Sequence, residues 1–134
     1  MIVADTNLIV HLSIRSEWTT TAYQVFYKDP EWHAPALWRS EFRNTLASHM
    51  RAELMTYEHA LDTMDEAEGF MLDRGDHWVN STAVLSLVSQ STCSAYDCEF
   101  VALANHLSAP LITSDSRLLR DFPNRALAPD RFLV

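Results

Sequence analysis

Short apolar runs alternate along the chain with longer segments in which apolar residues recur every three or four positions. Ile2-Val3-Ala4 stops abruptly at Asp5 and reads as a short buried strand, with Thr6 or Asn7 placed to cap the next helix. Trp18, Ala22, Val25 and Phe26 predict a helix over residues 17–28, closed by Asp29-Pro30. His33-Ala34-Pro35 suits a second short strand. Leu37, Trp38, Phe42, Leu46 and Met50 predict a helix over 37–50. Tyr57, Ala60, Leu61, Met64, Ala67 and Met71 predict another over 56–71. Asp73-Arg74-Gly75-Asp76 is a turn, and 79–88 reads as helix, although Val84, Leu85, Leu87 and Val88 would also suit a strand.

The last third repeats the pattern. Ser94-Ala95-Tyr96-Asp97 opens a helix running to Leu107, with Phe100, Val101, Leu103 and Ala104 on its inner side. Pro110-Leu111-Ile112-Thr113 is a short buried strand, and Ser114-Asp115 begins a helix anchored by Leu118 and Leu119 and ended by Phe122-Pro123. Ala126-Leu127 makes a last edge strand before an Asp130-Arg131-Phe132 tail. Apolar strands alternating with amphipathic helices imply a parallel sheet covered by helices. In such sheets functional residues collect beyond the carboxyl ends of the strands.

Composition narrows the chemistry. A chain of 134 residues, 48% of them hydrophobic, suits one domain with a single core. With Gly69 and Gly75 as the only glycines, a glycine-rich phosphate loop cannot be built, which removes P-loop and dinucleotide-binding functions. The net charge of −8 argues against gripping nucleic acid by a broad basic face, although bound metal ions can supply local positive charge instead. No secretory signal or membrane-length apolar stretch is present, and Cys93 and Cys98 read as free, buried or half-buried thiols, which predicts a cytoplasmic protein.

The candidate chemistry lies in carboxylates. Asp5 follows a buried strand directly and Asp115 follows one after Ser114, positions where a carboxylate must be solvated, used as a helix cap or bound. Asp97 sits three residues after Ser94, a capping-box spacing that equally suits a ligand aimed out of a first helical turn. Glu41 lies on a helix between Trp38 and Phe42, and an ordinary solvated glutamate explains it as well. The six histidines show no H-E-x-x-H or paired spacing, so a zinc hydrolase is not expected. No Gly-x-Ser-x-Gly marks a serine nucleophile, and neither cysteine has a placed base.

In order, these pieces are distinctive. Asp5-Thr6-Asn7 after the first strand, Ser40-Glu41-Phe42-Arg43-Asn44 on a helix, the run from Ser94-Ala95-Tyr96-Asp97 through Ala104, and Thr113-Ser114-Asp115 followed by Leu118 resemble the PIN-domain family. The likeness is greatest to VapC-type toxins of bacterial and archaeal toxin–antitoxin pairs, and it runs from Ile2 to about Phe132. The resemblance implies a three-layer α/β/α sandwich around a mainly parallel sheet and a Mg²⁺- or Mn²⁺-dependent endoribonuclease. It also implies a cognate antitoxin with a basic arm and a homodimer. The matching acids are Asp5, Glu41, Asp97 and Asp115, with Thr6, Asn7 and Thr113 as supporting groups.

The chemistry is coherent on its own terms. Attack on a phosphodiester needs the phosphate charge offset and a nucleophile available at neutral pH, and hard cations on carboxylates provide both. An all-oxygen donor set suits Mg²⁺ or Mn²⁺ over Zn²⁺. Asp5 and Asp97 are assigned as principal ligands, with Glu41 and Asp115 completing the site directly or through water, or Glu41 accepting the water's proton. Two alternatives belong to other classes: a PIN-like interaction module without catalysis, and a phospho-acceptor receiver-like domain. The latter needs a lysine after the last strand, and Lys28 is the only lysine.

Overall fold

The apolar runs pair side by side in a fully parallel, four-stranded sheet. The computed structural model describes residues 1–134: β1 (Ile2–Ala4), α1 (Thr6–Ser13), α2 (Thr19–Lys28), β2 (Trp32–His33), α3 (Trp38–Arg51) and α4 (Tyr57–Met71) form the first half. A 3-10 turn over Leu72–Gly75 leads to α5 (Ser81–Ser89), α6 (Ala95–Leu107), β3 (Leu111–Ile112), α7 (Ser116–Asp121), β4 (Ala126–Leu127) and α8 (Pro129–Leu133). The strand order is β2-β1-β3-β4, with Ile2 opposite Trp32, Val3 opposite Leu111 and Leu111 opposite Ala126. All three residues of β1 are buried, as befits a central parallel strand. The α/β, parallel-sheet expectation holds. No helix is long and apolar enough to cross a membrane.

The order of the strands matters for function. From β1 the chain moves to β2 on one side, whereas β3 and β4 lie on the other. The connections therefore diverge between β1 and β3, and a crevice opens beyond the carboxyl ends of those strands, where open α/β sheets bind ligands.

Side-chain caps explain several helix starts. The Thr56 hydroxyl accepts the His59 N–H at 3.1 Å, the Asn80 side chain accepts the Ala83 N–H at 3.0 Å, and the Ser94 hydroxyl accepts the Asp97 N–H at 3.1 Å. Each such cap stabilises by about 1 kcal/mol relative to alanine. With Asn80 as cap, the ambiguous valine- and leucine-rich stretch becomes helix α5, which packs on α6.

Four expectations need correction. Neither Thr6 nor Asn7 caps α1: Asp5 holds the N-cap position, its side chain makes no cap bond, and the Thr6 hydroxyl is turned elsewhere. α2 starts at Thr19, two residues later than its apolar spacing suggests, because Ser16 and Thr19 tie the preceding residues into a turn. The second strand is Trp32–His33, shifted toward the fully buried Trp32, while Pro35, lacking an N–H, makes only an isolated bridge to His77. Residues 130–132 are not a tail: Pro129 starts α8, which lays Phe132 and Leu133 against the core beside α2.

The orientation of α3 is set by one close contact. Trp38 is fully buried, stacks edge-on against Phe42 at 5.7 Å, and donates its indole N–H to the Gly75 carbonyl at 3.0 Å. Arg39 donates to the same carbonyl at 2.9 Å. A Cβ at Gly75 would lie 2.2 Å from the Trp38 indole nitrogen, so only glycine allows this approach. The start of α3, which carries Glu41, is thereby fixed relative to the sheet.

Candidate active site

Four acids from four separate elements line one cleft of about 620 Å³ at the β1–β3 crevice. Asp5 follows β1, Glu41 stands in the first turn of α3, Asp97 in the first turn of α6, and Asp115 at the N-cap of α7. The folded chain thus brings together all four carboxylates singled out in the sequence, across 110 positions of chain. Thr6 and Asn7 line the same cleft.

The threonines link these acids in pairs. Thr113, almost fully buried, donates its hydroxyl to Asp5 Oδ2 at 2.6 Å and accepts the Asp115 N–H at 3.0 Å. Thr6, also buried, donates to Glu41 Oε1 at 2.7 Å. Hydrogen bonds to a carboxylate are the stronger kind and hold its oxygens in fixed directions.

Two of the capping explanations are partly true. Asp115 does cap α7, its Oδ1 accepting the N–H groups of Arg117 at 2.8 Å and Leu118 at 3.0 Å. Only that oxygen is so used, and the carboxylate still lines the cleft. At α6 the cap is Ser94, which leaves the Asp97 carboxylate facing the cleft.

Electrostatically the site is a net negative cluster. Burial pushes the Asp5 carboxyl above the usual carboxylate range; bonds from Thr113 and Thr6 oppose this, and the charges of Asp97 and Asp115 add to it. Glu41 is raised by burial, opposed by the Thr6 hydroxyl and reinforced by Asp5, Asp97 and Glu99. Asp97 is raised by burial, with Ser94 opposing, Asp115 reinforcing and the Arg117 cation pulling it down. Three acids are therefore held where their charged forms are disfavoured, an arrangement that a bound cation offsets.

No group of three or more His, Cys, Asp or Glu side chains is gathered as a ready-made metal cage. The donor set nevertheless fits a hard cation in kind: all ligating atoms would be carboxylate oxygens. A wide, solvent-reaching cleft also suits Mg²⁺, which keeps several waters and needs only one or two carboxylates.

Other nucleophiles and ligands lie elsewhere. Cys93 and Cys98 are free and buried, and burial pushes the Cys93 thiol up to about 11, which leaves it protonated at neutral pH. His33 Nδ1 and His77 Nε2 are 2.9 Å apart, a pair 44 positions apart in sequence that lies outside the cleft. Lys28 bonds the Phe132 carbonyl and does not line the cleft. The cleft also contains Ser40, Asn44, Thr45 and Tyr96, which the sequence reading did not select. Asn44 and Thr45 stand three and four residues after Glu41, so helical spacing would have placed them beside it. No protein-family model matches the chain, and no curated protein matches it in sequence.

Proposed function

We propose that the chain is a PIN-like, Mg²⁺- or Mn²⁺-dependent endoribonuclease that acts as the toxin of a toxin–antitoxin pair. The observation that carries this reading is the convergence of Asp5, Glu41, Asp97 and Asp115 on one cleft at the switch point of a parallel sheet. The α/β architecture is compatible with the three-layer PIN arrangement that the Asp-Thr-Asn and Ser-Ala-Tyr-Asp runs suggest.

In this reading Asp5 and Asp97 hold the cation, with Glu41 and Asp115 completing the site. A divalent ion held there would supply charge to offset the phosphate and to acidify an attacking water. The chain's own contribution is orientation and proton handling. Thr113 fixes Asp5 and the backbone at Asp115, and Thr6 fixes Glu41 Oε1. Glu41, whose carboxylate burial makes more basic than an exposed one, is suited to accept the water's proton. The excess negative charge of the chain and of this cleft suits an antitoxin whose arginine or lysine side chain enters the site.

The test is cleavage of single-stranded or looped RNA by the purified chain. Cleavage should need Mg²⁺ or Mn²⁺ and stop in EDTA; full activity in chelator contradicts the reading. A small basic-armed partner should co-purify when its neighbouring gene is co-expressed, and harmless expression of the chain alone contradicts the toxin role.

A further inference from the structure

A second cavity, of about 190 Å³, opens on the other side of Asp5, between α1 and α2. Asp5 and Asn7 line both spaces, so whatever fills this one lies next to whatever is held in the acidic cleft. We infer that this cavity takes one unpaired nucleobase of the RNA, stacked on Trp18, with its edge read by Asn7, Thr21 and Ser114. This rests on the ribonuclease reading and adds a subsite to it.

Size, faces and edges all favour a base. The volume is below the roughly 300–1,000 Å³ of pockets for drug-sized ligands, which admits one ring system and little more. The walls combine apolar Leu8 and Ala22 with the Trp18 indole, which is 54% exposed despite its size. The His11 ring lies 6.4 Å from that indole at 42°, and burial lowers its pKa, so it presents a neutral face. Asn7, Thr21 and Ser114 provide both donors and acceptors, and their side chains bond to no other group in the chain.

The turn that carries Trp18 is already in place. The Trp18 backbone N–H donates to the Ser16 hydroxyl at 3.1 Å, the Ser16 backbone N–H to Thr19 Oγ1 at 2.8 Å, and the Thr19 hydroxyl to the His11 carbonyl at 2.9 Å. The turn that delays the start of α2 is the same turn that carries the indole, so the backbone beneath it needs little ordering on binding. Charge points the same way. A chain of net charge −8 cannot hold RNA mainly through its phosphates, and stacking supplies attraction that needs no basic face.

The experiment uses a short single-stranded oligoribonucleotide and versions with one abasic position stepped through the bases flanking the cut. With Mn²⁺, Trp18→Ala should raise KM by roughly 5- to 150-fold, the range for one lost base stack, and Trp18→Phe should raise it less. One abasic position should reproduce that loss in the wild type and add nothing to Trp18→Ala. Tyr27→Ala, an exposed aromatic of α2 that lines neither cavity, should leave KM unchanged. Equilibrium binding of the same strands with Ca²⁺ separates the two readings. Base- and Trp18-dependent binding in Ca²⁺, with no cleavage of the same strands in Mn²⁺, supports the subsite and overturns the nuclease. Cleavage and binding that ignore both Trp18 and the abasic position overturn the subsite.

Discussion

Thr113→Val removes one hydroxyl and almost nothing else, because valine has the same shape. That hydroxyl donates to Asp5 Oδ2 at 2.6 Å and accepts the Asp115 N–H at 3.0 Å, in a residue only 1% exposed. A hydrogen bond to a charged group contributes about 1.5–3 kcal/mol, and a deprived N–H adds about 1–3 kcal/mol where water cannot reach it. Asp115 is half-buried, so water recovers part of the second loss. The expected destabilisation at neutral pH is about 2–4 kcal/mol, a large share of the 5–15 kcal/mol of an ordinary domain. The pH dependence follows from the same bond. Burial raises the folded-state pKa of Asp5, and the Thr113 hydroxyl lowers it, so valine raises it further. The lost bond favours the charged carboxylate; its contribution is present above the folded pKa and fades as pH falls through it. Urea unfolding in EDTA at neutral pH and near pH 4 should therefore show a difference between variant and wild type that shrinks on acidification. A loss below 1 kcal/mol, or one that is the same at both pH values, would refute the coupling between Thr113 and the Asp5 charge.

Asp97→Asn should abolish Mn²⁺-dependent RNA cleavage and leave the circular dichroism spectrum unchanged, because the α6 cap is the Ser94 hydroxyl bonding the residue 97 backbone N–H. Gly75→Ala should destabilise by at least about 1–3 kcal/mol in urea unfolding, since its Cβ would sit 2.2 Å from the Trp38 indole nitrogen and that contact sets α3.

Much of the scaffold can be read from periodicity alone, for identifiable reasons. Leu37 to Met50 and Tyr57 to Met71 have long, clean apolar stripes, and α3 and α4 occupy nearly those spans. Asp5 and Asp115 stand out because a carboxylate at the end of a buried strand or just beyond it has nowhere apolar to go, and both line the cleft. What escaped were contacts between distant segments. The Gly75 contact with Trp38 and the His33–His77 pair join residues 37 and 44 positions apart, with no local pattern to announce them. The capping role of Asp115 is real and coexists with its place in the cleft, because a carboxylate has two oxygens and the cap uses only one. The second cavity was hidden for a related reason: Trp18 scores as part of an apolar stripe, yet the Ser16–Thr19 turn leaves it half outside the core.

That the four acids act as one cation site is tested most directly by thermal unfolding of the wild type and Asp5→Asn, each with EDTA and with Mn²⁺. Asp5 has a folded-state pKa raised by burial and by neighbouring acids, so its charge opposes folding at neutral pH in the absence of metal. Removing that charge should leave Asp5→Asn at least as stable as the wild type in EDTA. At tenfold above its dissociation constant Mn²⁺ should stabilise the wild type by about 1.4 kcal/mol. For a domain of this size that is a rise in Tm of roughly 3–6 °C. Asp5→Asn should show little or none of this rise. A wild type indifferent to Mn²⁺, together with an Asp5→Asn variant less stable in EDTA, would contradict the account and return the four carboxylates to the role of caps and solvated acids.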